Sequence, residues 1–343
     1  MKLSEMLAAR PQQPLWALLK QCGVDHVVAV MRNGEQDRRM FAAVGGGGSP
    51  TDGDAVPWSQ AAIERDVATF AEHGFTVVAI EDTPPLDEAR LGLPGRDEQI
   101  ENVQEQIRAM GKLGIPVLCY NWMAVSSWTR TDHAAESRAG ALVTGFREAD
   151  AKAMPLLVQP GELTAEQLWD SFAYFLQAVV PVAEEAGVRL ALHPDDPPLP
   201  VVRGVPRIMS SVEAFRRVLD LFPSPANGVT LCQGNFALMT DDLPTLIREL
   251  GARDAIHFVH FRDVRGDAHE FLETFHDDGQ SDLAACMRAY AEVGFDGPLR
   301  PDHVPTMYGE SNDHPGYETL GRLFANGYVR GLMHATAGRT ESA

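Results

Sequence analysis

The sequence predicts an α/β fold, a (β/α)8 or TIM barrel, and three observations lead to that prediction. Short apolar runs alternate with amphipathic segments along the chain, which is the pattern of parallel strands joined by crossover helices. Eight such strand–helix units suit a closed barrel better than an open sheet. The length of 343 residues fits one barrel domain with insertions.

The predicted elements follow one another in regular alternation. We expect strands at 24–30, 75–80, 115–120, 188–193, 227–232, 255–261, 269–274 and 298–302. Apolar positions at helical spacing predict helices at 15–22, 59–73, 96–112, 164–186, 211–222, 243–250, 284–293 and 317–334. Thr164 is the predicted cap of the longest helix, because Gln167 stands at capping-box distance, and Gly187 is its predicted end. A small hairpin is expected around 141–146.

One catalytic domain is expected over residues 1–334, with a glycine-rich insertion near its start. The insertion spans about 32–58 and contains the run Gly45 to Gly48. A long segment of this kind is either a lid over the barrel mouth or a disordered loop, and the sequence leaves both readings open. Residues 335–343 are small and polar, so we expect a disordered tail there.

Composition excludes several classes of function. The formal net charge of −19 argues against a nucleic-acid partner, because phosphates attract basic surfaces. No apolar run approaches the roughly 20 residues that a membrane helix needs. The cysteines are far apart, without a CxxC pair, and the first residues lack a secretory pattern, so we expect a cytoplasmic protein with reduced thiols. We also expect a homo-oligomer, a dimer or a tetramer, that acts on a small molecule.

The ends of four predicted strands carry side chains that suit a metal ion. They are His193, Cys232, His260 and Asp302, each from a different strand. Because the C-terminal ends of barrel strands meet at one face, we expect the four to converge there. Each has an ordinary alternative when taken singly, as a packed histidine or as a cysteine that behaves like a small apolar residue. Together they outline a metal site.

Two choices within this outline rest on residue chemistry. His257 and His260 share one predicted strand, and alternation puts them on opposite faces. His260 is nearer to the C-terminal end and is the predicted ligand, whereas His257 is interpreted as a core or supporting histidine. A thiolate with two imidazoles and a carboxylate suits Zn²⁺ or Fe²⁺ by softness alone. Asp195 and Asp196 are expected either to support the metal ligands from behind or to lie at the surface. Glu273 and His276 are candidates for lining the mouth of the barrel.

Long motifs distributed over the chain resemble those of the mannonate dehydratase family. In chain order they read GRDEQIENVQEQIRAMGKLGI, VLCYNWM, WTRTD, LALHPDDPP, RGVPRI, SPANGVTLCQG, IHFVHFRDV, FLETFHDDGQSD, LRPDH and PGY. The resemblance runs from about Gly92 to the end, interrupted between Ala134 and Thr164. It implies a xylose-isomerase-like barrel with a divalent metal. The implied activity is that of a hydro-lyase of hexuronate degradation, which dehydrates D-mannonate to 2-keto-3-deoxy-D-gluconate.

The resemblance also implies roles for individual residues. The family's metal ligands fall on the four strand-end residues above, and the expected ion becomes Mn²⁺, with Fe²⁺ and Zn²⁺ as alternatives. Its catalytic candidates fall on His303 and Tyr317, one as the base for the C2 proton and the other as the acid for the C3 hydroxyl. Which of them does which stays open. From residue chemistry, the side chains expected to hold the substrate carboxylate or hydroxyls are Asn121, Arg130, Arg207 and Arg262.

The N-terminal quarter departs from the family pattern. A histidine-containing turn after the first strand is replaced by Met-Arg-Asn at 31–33, and a Val-His-Glu after the second by Pro-Leu-Asp at 85–87. These positions are expected near the substrate, so dehydration of a different aldonate is one alternative. A sugar or sugar-acid isomerase or epimerase, which would lose no water, is another. A non-catalytic relative is a third, which the retention of His303 and Tyr317 disfavours.

Overall fold

The structure, a computed structural model, describes residues 1–11, 14–32 and 56–337. The predicted glycine-rich insertion at about 32–58, including Gly45 to Gly48, falls almost wholly outside the described residues, as do the last six residues of the predicted tail. In chain order the strands are β1 (Lys2–Ala8), β2 (His26–Val30), β3 (Thr76–Ile80), β4 (Val117–Asn121), β5 (Asp132–Glu136), β6 (Leu142–Arg147), β7 (Arg189–His193), β8 (Val201–Val202), β9 (Val205–Pro206), β10 (Asn227–Cys232), β11 (Ile256–Phe261), β12 (Val264–Gly266), β13 (Glu270–Glu273) and β14 (Pro298–Pro301).

The helices of the described chain pack around the strands. They are α1 (Leu15–Gln21), α2 (Gln60–Glu72), α3 (Asp87–Leu91), α4 (Arg96–Leu113), α5 (Glu148–Ala153), α6 (Ala165–Ala186), α7 (Val212–Leu221), α8 (Gln233–Ala237), α9 (Leu243–Ala252), α10 (Leu283–Glu292) and α11 (Thr319–Ala337). The last helix continues three residues past its predicted end, into the segment that was expected to be a disordered tail. None of the described helices is long and apolar enough to cross a membrane.

Eight parallel strands close into a barrel, which confirms the predicted fold class. The order around the barrel is β1–β14–β11–β10–β7–β4–β3–β2. Seven of the eight predicted strands belong to the barrel. The first barrel strand, β1, was missed, and the predicted strand at 269–274 became β13, which lies outside the barrel.

The reason for the missed strand is its polar interior. Ser4 and Glu5 sit in the middle of β1 and are fully buried, so the local pattern does not show an apolar run. Their partners come from the other end of the chain. Ser4 Oγ donates to the carbonyl of Leu299 at 3.0 Å, and Glu5 accepts from Asn326 at 2.7 Å and pairs with Arg322 at 3.2 Å. Such partners remove the cost of burying polar groups, and only the closed barrel supplies them.

Helix α6 begins and ends as predicted. Thr164 Oγ1 accepts from the backbone N–H of Gln167 at 3.2 Å, and the Gln167 side chain accepts from the backbone N–H of Thr164 at 2.8 Å. Gly187 follows the helix with φ of 67°, a left-handed conformation in which glycine avoids the Cβ clash. The apolar face of α6 packs Phe172 and Phe175 against Trp122, at ring-centroid distances of 5.0 and 4.9 Å.

A small antiparallel sheet, β12–β13–β6–β5, stands beside the barrel. Strands β5 and β6 come from the connection after β4, and β12 and β13 from the connection after β11, so this sheet grows from the C-terminal end of the barrel. The segment 141–146, where a hairpin was predicted, forms strand β6, which pairs antiparallel with β5. The side chains of the small sheet are therefore available to the face where a barrel holds its site.

The barrel interior is filled by small and medium side chains from alternating strand positions. They include Met6, Val28, Ala79, Ala191 and Phe258, and the ring of Tyr317 packs against them. A larger apolar layer lies between the strands and the helices. The lumen is thus a packed core that closes the barrel below the site at the C-terminal strand ends.

Candidate metal centre and active site

Three of the four predicted metal ligands meet at the C-terminal end of the barrel. His193 ends β7, Cys232 ends β10 and His260 lies near the end of β11. One ligand atom from each lies within 4.8 Å of those of the other two. Cys232 and His260 are buried and His193 is half-buried, so the cluster is shielded but reachable from the cleft.

Asp302, the fourth predicted ligand, borders this cluster. It follows β14, and its Oδ2 lies 3.8 Å from Cys232 Sγ and 3.6 Å from His260 Nδ1. The same oxygen accepts a 2.7 Å hydrogen bond from Arg262 Nε. Burial opposes ionisation of Asp302, but the charges of His303, His260 and Arg300 outweigh it and hold its pKa well below the usual range. The carboxylate is therefore charged and placed to join the three other donors.

The states of these side chains fit a bound divalent cation. His260 Nδ1 is buried and has no hydrogen-bond partner among the described residues, so this nitrogen is available to coordinate an ion. His193 Nδ1 is 2.7 Å from the carbonyl of Pro194, which makes Nδ1 the donor and leaves Nε2 with a free lone pair. Burial opposes ionisation of the Cys232 thiol, but Arg262 and His193 outweigh it and lower its pKa to about 6. Two imidazoles, a thiolate and a carboxylate form the donor set of a transition-metal site.

His257 lies on the opposite face of β11, as alternation predicts. Its Nδ1 is 2.8 Å from the carbonyl of Leu190, on the side of the strand that faces the helices. Burial lowers its pKa to about 4, so it is a neutral core histidine. Its position keeps it out of the cluster that contains His260.

A cleft of about 990 Å³, including its open mouth, lies over these residues. Of the predicted catalytic and substrate-binding residues, His303, Tyr317 and Asn121 line it. The rings of His303 and Tyr317 are 5.3 Å apart and nearly perpendicular, at 84°. His303 also contacts the ring of Trp128 at 5.0 Å. Both predicted catalytic residues thus stand beside Asp302 and open to the same space.

Asn121 and the replaced segment at 85–87 meet at one wall of the cleft. Asn121 ends β4, and its Oδ1 accepts from the backbone of Met123 at 3.1 Å and from Arg90 at 3.2 Å. Arg90 and Asp87 belong to the short helix α3 and also line the cleft. Asp87, the last residue of the segment that departs from the family pattern, therefore faces the cleft. The other departure, at 31–33, lies partly outside the described residues.

The three predicted substrate-binding arginines are placed differently. Arg130, Arg207 and Arg262 are buried, and none of them lines the cleft. Arg207 is bound to Asp195 and to the oxygens of Ser126. The guanidinium groups of Arg130 and Arg262 are bound to Asp196, which lines the cleft, and to Glu273, which does not. Contact with a substrate would require each of the three to leave these partners.

Asp195, Asp196 and His276, for which the sequence left a surface position or a position at the mouth open, are all buried. Asp195 accepts from the backbone of Met209 at 2.7 Å and pairs with Arg207 at 3.4 Å, and burial raises its pKa. Asp196 is buried and pairs with Arg130 and Arg262. His276 Nε2 is 2.7 Å from the carbonyl of Phe261, and burial lowers its pKa to about 4. None of them is a surface residue.

Two residues of the cleft were missed in the sequence, Glu81 and Arg300. Arg300 binds Glu81 through two hydrogen bonds of 2.9 Å and contacts Asp302 at 3.1 Å. Burial opposes ionisation of Glu81, but Arg300 and His260 outweigh it and lower its pKa to about 2. Both were detectable in the sequence, because Glu81 follows β3 directly and Arg300 shares a strand face with Asp302.

The charge of the cleft lining is mainly acidic. The carboxylates that line it are Glu81, Asp82, Asp87, Asp196 and Asp302. The guanidinium groups that line it are Arg90 and Arg300. Such a lining repels an anion, and a bound divalent cation would reverse the local field.

Comparison with known proteins relates the chain to one family over most of its length. The family model described as D-mannonate dehydratase (UxuA) matches residues 49–159 and 155–342. Mannonate dehydratase 2 of Halalkalibacterium halodurans is 36% identical over 292 residues, which cover 77% of this chain and 84% of that protein. Mannonate dehydratase of Enterococcus faecalis is 34% identical over 314 residues, covering 81% and 87%.

Solved structures agree with this assignment. The crystal structure of mannonate dehydratase from Streptococcus suis superposes with a TM-score of 0.86 at 30% identity, covering 99% of this chain and 95% of that one. An L-ribulose 3-epimerase, at 16% identity and a TM-score of 0.61, shares the barrel fold alone. A xylose isomerase domain protein from Planctomyces limnophilus, at 12% identity and a TM-score of 0.60, shares it as well. The chain therefore belongs to the D-mannonate dehydratase family, on a barrel of the xylose-isomerase-like type.

Proposed function

We propose that this chain is a metal-dependent dehydratase that converts D-mannonate to 2-keto-3-deoxy-D-gluconate and water. Its family membership makes it a hydro-lyase. The observation that carries the specific proposal is the convergence of His193, Cys232 and His260, with Asp302 beside them, in the cleft that His303 and Tyr317 line. Metal ligands and a proton-transfer pair in one cleft are what elimination of water from a sugar acid requires.

The residues that would hold the metal are His193, Cys232, His260 and Asp302. The expected ion is Mn²⁺, by resemblance to the family, and the thiolate with two imidazoles keeps Fe²⁺ and Zn²⁺ as alternatives. The chemistry such an ion supplies is Lewis-acid stabilisation of the negative charge that develops next to the substrate carboxylate. The acidic cleft lining supports the presence of a cation, because without one the pocket would repel an anionic aldonate.

His303 and Tyr317 divide the two proton transfers. His303 Nδ1 lies 2.9 Å from a carboxylate oxygen of Glu273, so Nδ1 carries the proton and Nε2 offers a lone pair on the cleft side. We assign the removal of the C2 proton to this Nε2. Burial raises the pKa of Tyr317 well above its usual value, so its hydroxyl remains protonated. Tyr317 then donates that proton to the C3 hydroxyl, which leaves as water, and the resulting enol becomes the ketone.

Asn121 is the proposed substrate contact at the opposite wall. Its carbonyl oxygen is held by Arg90 and by the backbone of Met123, which leaves its amide N–H groups for a substrate hydroxyl. Arg300 is the cationic side chain nearest to Asp302 that also lines the cleft, and its charge favours the substrate carboxylate on that side. The substrate would thus lie between β14 and α3.

Product analysis tests the reaction itself. The purified chain, supplied with Mn²⁺, is incubated with a panel of aldonates and the products are identified by mass and by the chemical assay for 2-keto-3-deoxy acids. Dehydration gives a product lighter by one water and positive in that assay. A product of unchanged formula would show an isomerase or epimerase instead, and dehydration of another aldonate but not of mannonate would overturn the proposed substrate.

We also propose that the chain is cytoplasmic and forms a homo-oligomer. A thiolate ligand persists where thiols stay reduced, and the cysteines of the described chain are all unpaired, which supports a cytoplasmic location. A homo-oligomer, a dimer or a tetramer, is supported by exposed apolar side chains where residues 154–157 meet the β8–β9 hairpin. These side chains are Met154, Leu156, Leu157 and Val201. Light scattering of the purified chain measures the assembly.

A further inference from the structure

A second cluster of potential metal ligands lies at the wall of the cleft. It consists of Asp196, Glu273 and His303, all buried, with ligand atoms within 4.8 Å of one another. Two guanidinium groups already occupy it. Arg130 donates to both carboxylates, and Arg262 donates to Glu273 at 3.0 and 2.9 Å and to Asp196 at 3.1 Å. Two positive charges balance the two negative ones, so this cluster has no net attraction for a further cation. We therefore expect a function of the cluster other than metal binding.

The geometry around His303 decides what that function is. The shortest contact of Nδ1 is the one of 2.9 Å to Glu273 Oε1. A carboxylate only accepts, so Nδ1 must donate, because the other tautomer would turn its lone pair toward a negative oxygen. Arg130 Nη2 is 3.3 Å from the same nitrogen, but it is a donor and cannot replace the carboxylate as an acceptor. The remaining nitrogen, Nε2, lies 4.0 Å from Asp302 Oδ1.

We propose that Glu273 is the positioning residue of His303, which it holds in the Nδ1–H tautomer with Nε2 directed at the substrate. This inference rests on the proposed dehydratase function, in which His303 takes the C2 proton. Glu273 does not line the cleft and contacts none of the four metal ligands directly, whereas it does contact the His303 imidazole.

The surroundings make this position rigid. Glu273 comes from β13, in the small sheet, and Arg262 clamps both of its oxygens. The same Arg262 donates to Asp302, so the carboxylate that orients His303 and the carboxylate of the metal site share one guanidinium. Trp128 packs on His303 at 5.0 Å and Tyr317 stands perpendicular to it at 5.3 Å, which restricts rotation of the ring. An orienting carboxylate held this way supplies preorganisation that a solvated one would not.

The first test needs no turnover and no substitution at Glu273. Nitrogen-15 NMR of histidine-labelled protein, loaded with a diamagnetic divalent ion, reports the tautomer of each ring at a pH above the ordinary histidine titration of about 6.5. The His303 signals are identified by their loss in His303→Asn. We expect a pyrrole-type shift for Nδ1 and a pyridine-type shift for Nε2. The reverse pattern, or an averaged pair of shifts, would overturn the proposal whether or not the protein dehydrates mannonate.

The second test is a double-mutant cycle on the reaction. Glu273→Gln should lower kcat by about 10- to 100-fold, as loss of an orienting carboxylate typically does, and should leave KM and metal content nearly unchanged. In the His303→Asn background the same substitution should lower kcat far less, since the proposed positioning role of Glu273 requires that ring. An equal loss in both backgrounds, or a loss of metal parallel to the loss of kcat, would show a merely structural residue.

A matched control is available on the same strand. Glu270, three residues earlier on β13, is exposed and pairs with Arg147. Glu270→Gln makes the same chemical change at a position that does not contact His303, so kcat should stay at the wild-type value. Wild-type product formation tests the proposed reaction separately, so its failure can be told apart from a failure of the positioning proposal.

Discussion

Replacing Tyr317 by Phe removes one oxygen from the cleft and leaves the ring contacts intact. The ring packs against the apolar lumen of the barrel and stands perpendicular to His303 at 5.3 Å, and Phe keeps both contacts. The hydroxyl has no hydrogen bond to any of the described residues, so its removal leaves no protein group without a partner. We therefore expect the free energy of unfolding to change by less than about 1 kcal/mol.

The effect on catalysis should be much larger. A positioned acid or base contributes about 10²–10⁴ in rate, which is about 2.7–5.4 kcal/mol of barrier at about 1.36 kcal/mol per factor of ten. Tyr317→Phe should therefore lower kcat by roughly a hundredfold or more, with KM and metal content nearly unchanged. Steady-state kinetics on D-mannonate, metal analysis and thermal unfolding of the same preparation measure all three quantities.

Two results would refute this reasoning. A normal kcat in Tyr317→Phe would remove the tyrosine from proton transfer. A low kcat that accompanies a lower melting temperature or lost metal would make the residue structural. His303→Asn, which removes the other proposed proton-transfer group, should reproduce the kcat loss.

Four further predictions concern the metal and the scaffold. His260→Ala should abolish metal binding, whereas His257→Ala should keep the ion and lower the stability of the fold. Metal analysis after dialysis measures both. Metal lost in His257→Ala but kept in His260→Ala would show that the choice of ligand is wrong. EDTA should abolish activity, added Mn²⁺ should restore it, and full turnover in protein shown to be metal-free would contradict the mechanism. Occupancy should fall as the pH is lowered, because protons compete for the Cys232 thiolate, whose pKa is about 6, and for His260, whose pKa lies well above its usual value because burial is outweighed by Glu81 and Asp302; a titration of bound metal against pH measures this. Thr164→Ala should lower the free energy of unfolding by about 1 kcal/mol without changing kcat, as denaturant unfolding and kinetics would show.

The local sequence predicts most of the barrel and the position of its site. Apolar runs with an abrupt polar end identify β7, β10 and β11, because a buried strand needs apolar side chains and its C-terminal end does not. Strand alternation alone separates His260 from His257, since successive side chains point to opposite faces. The cap at Thr164 is likewise a local property, decided by residues three apart. Each of these features depends on neighbours in the chain, so the sequence suffices.

The tertiary structure decides which distant charges become partners. Arg130 and Arg262 looked like substrate ligands because an exposed guanidinium suits a carboxylate, yet the fold buries both against Asp196 and Glu273. Arg130 is 66 and 143 residues away from those two carboxylates, and no local pattern encodes such a pairing. The missed strand β1 has the same cause, since its buried Glu5 is satisfied from 321 residues away. By itself the sequence determined which side chains stand at the strand ends. Closure of the barrel decided which buried charges neutralise each other, because that depends on distances in space and on the exclusion of water.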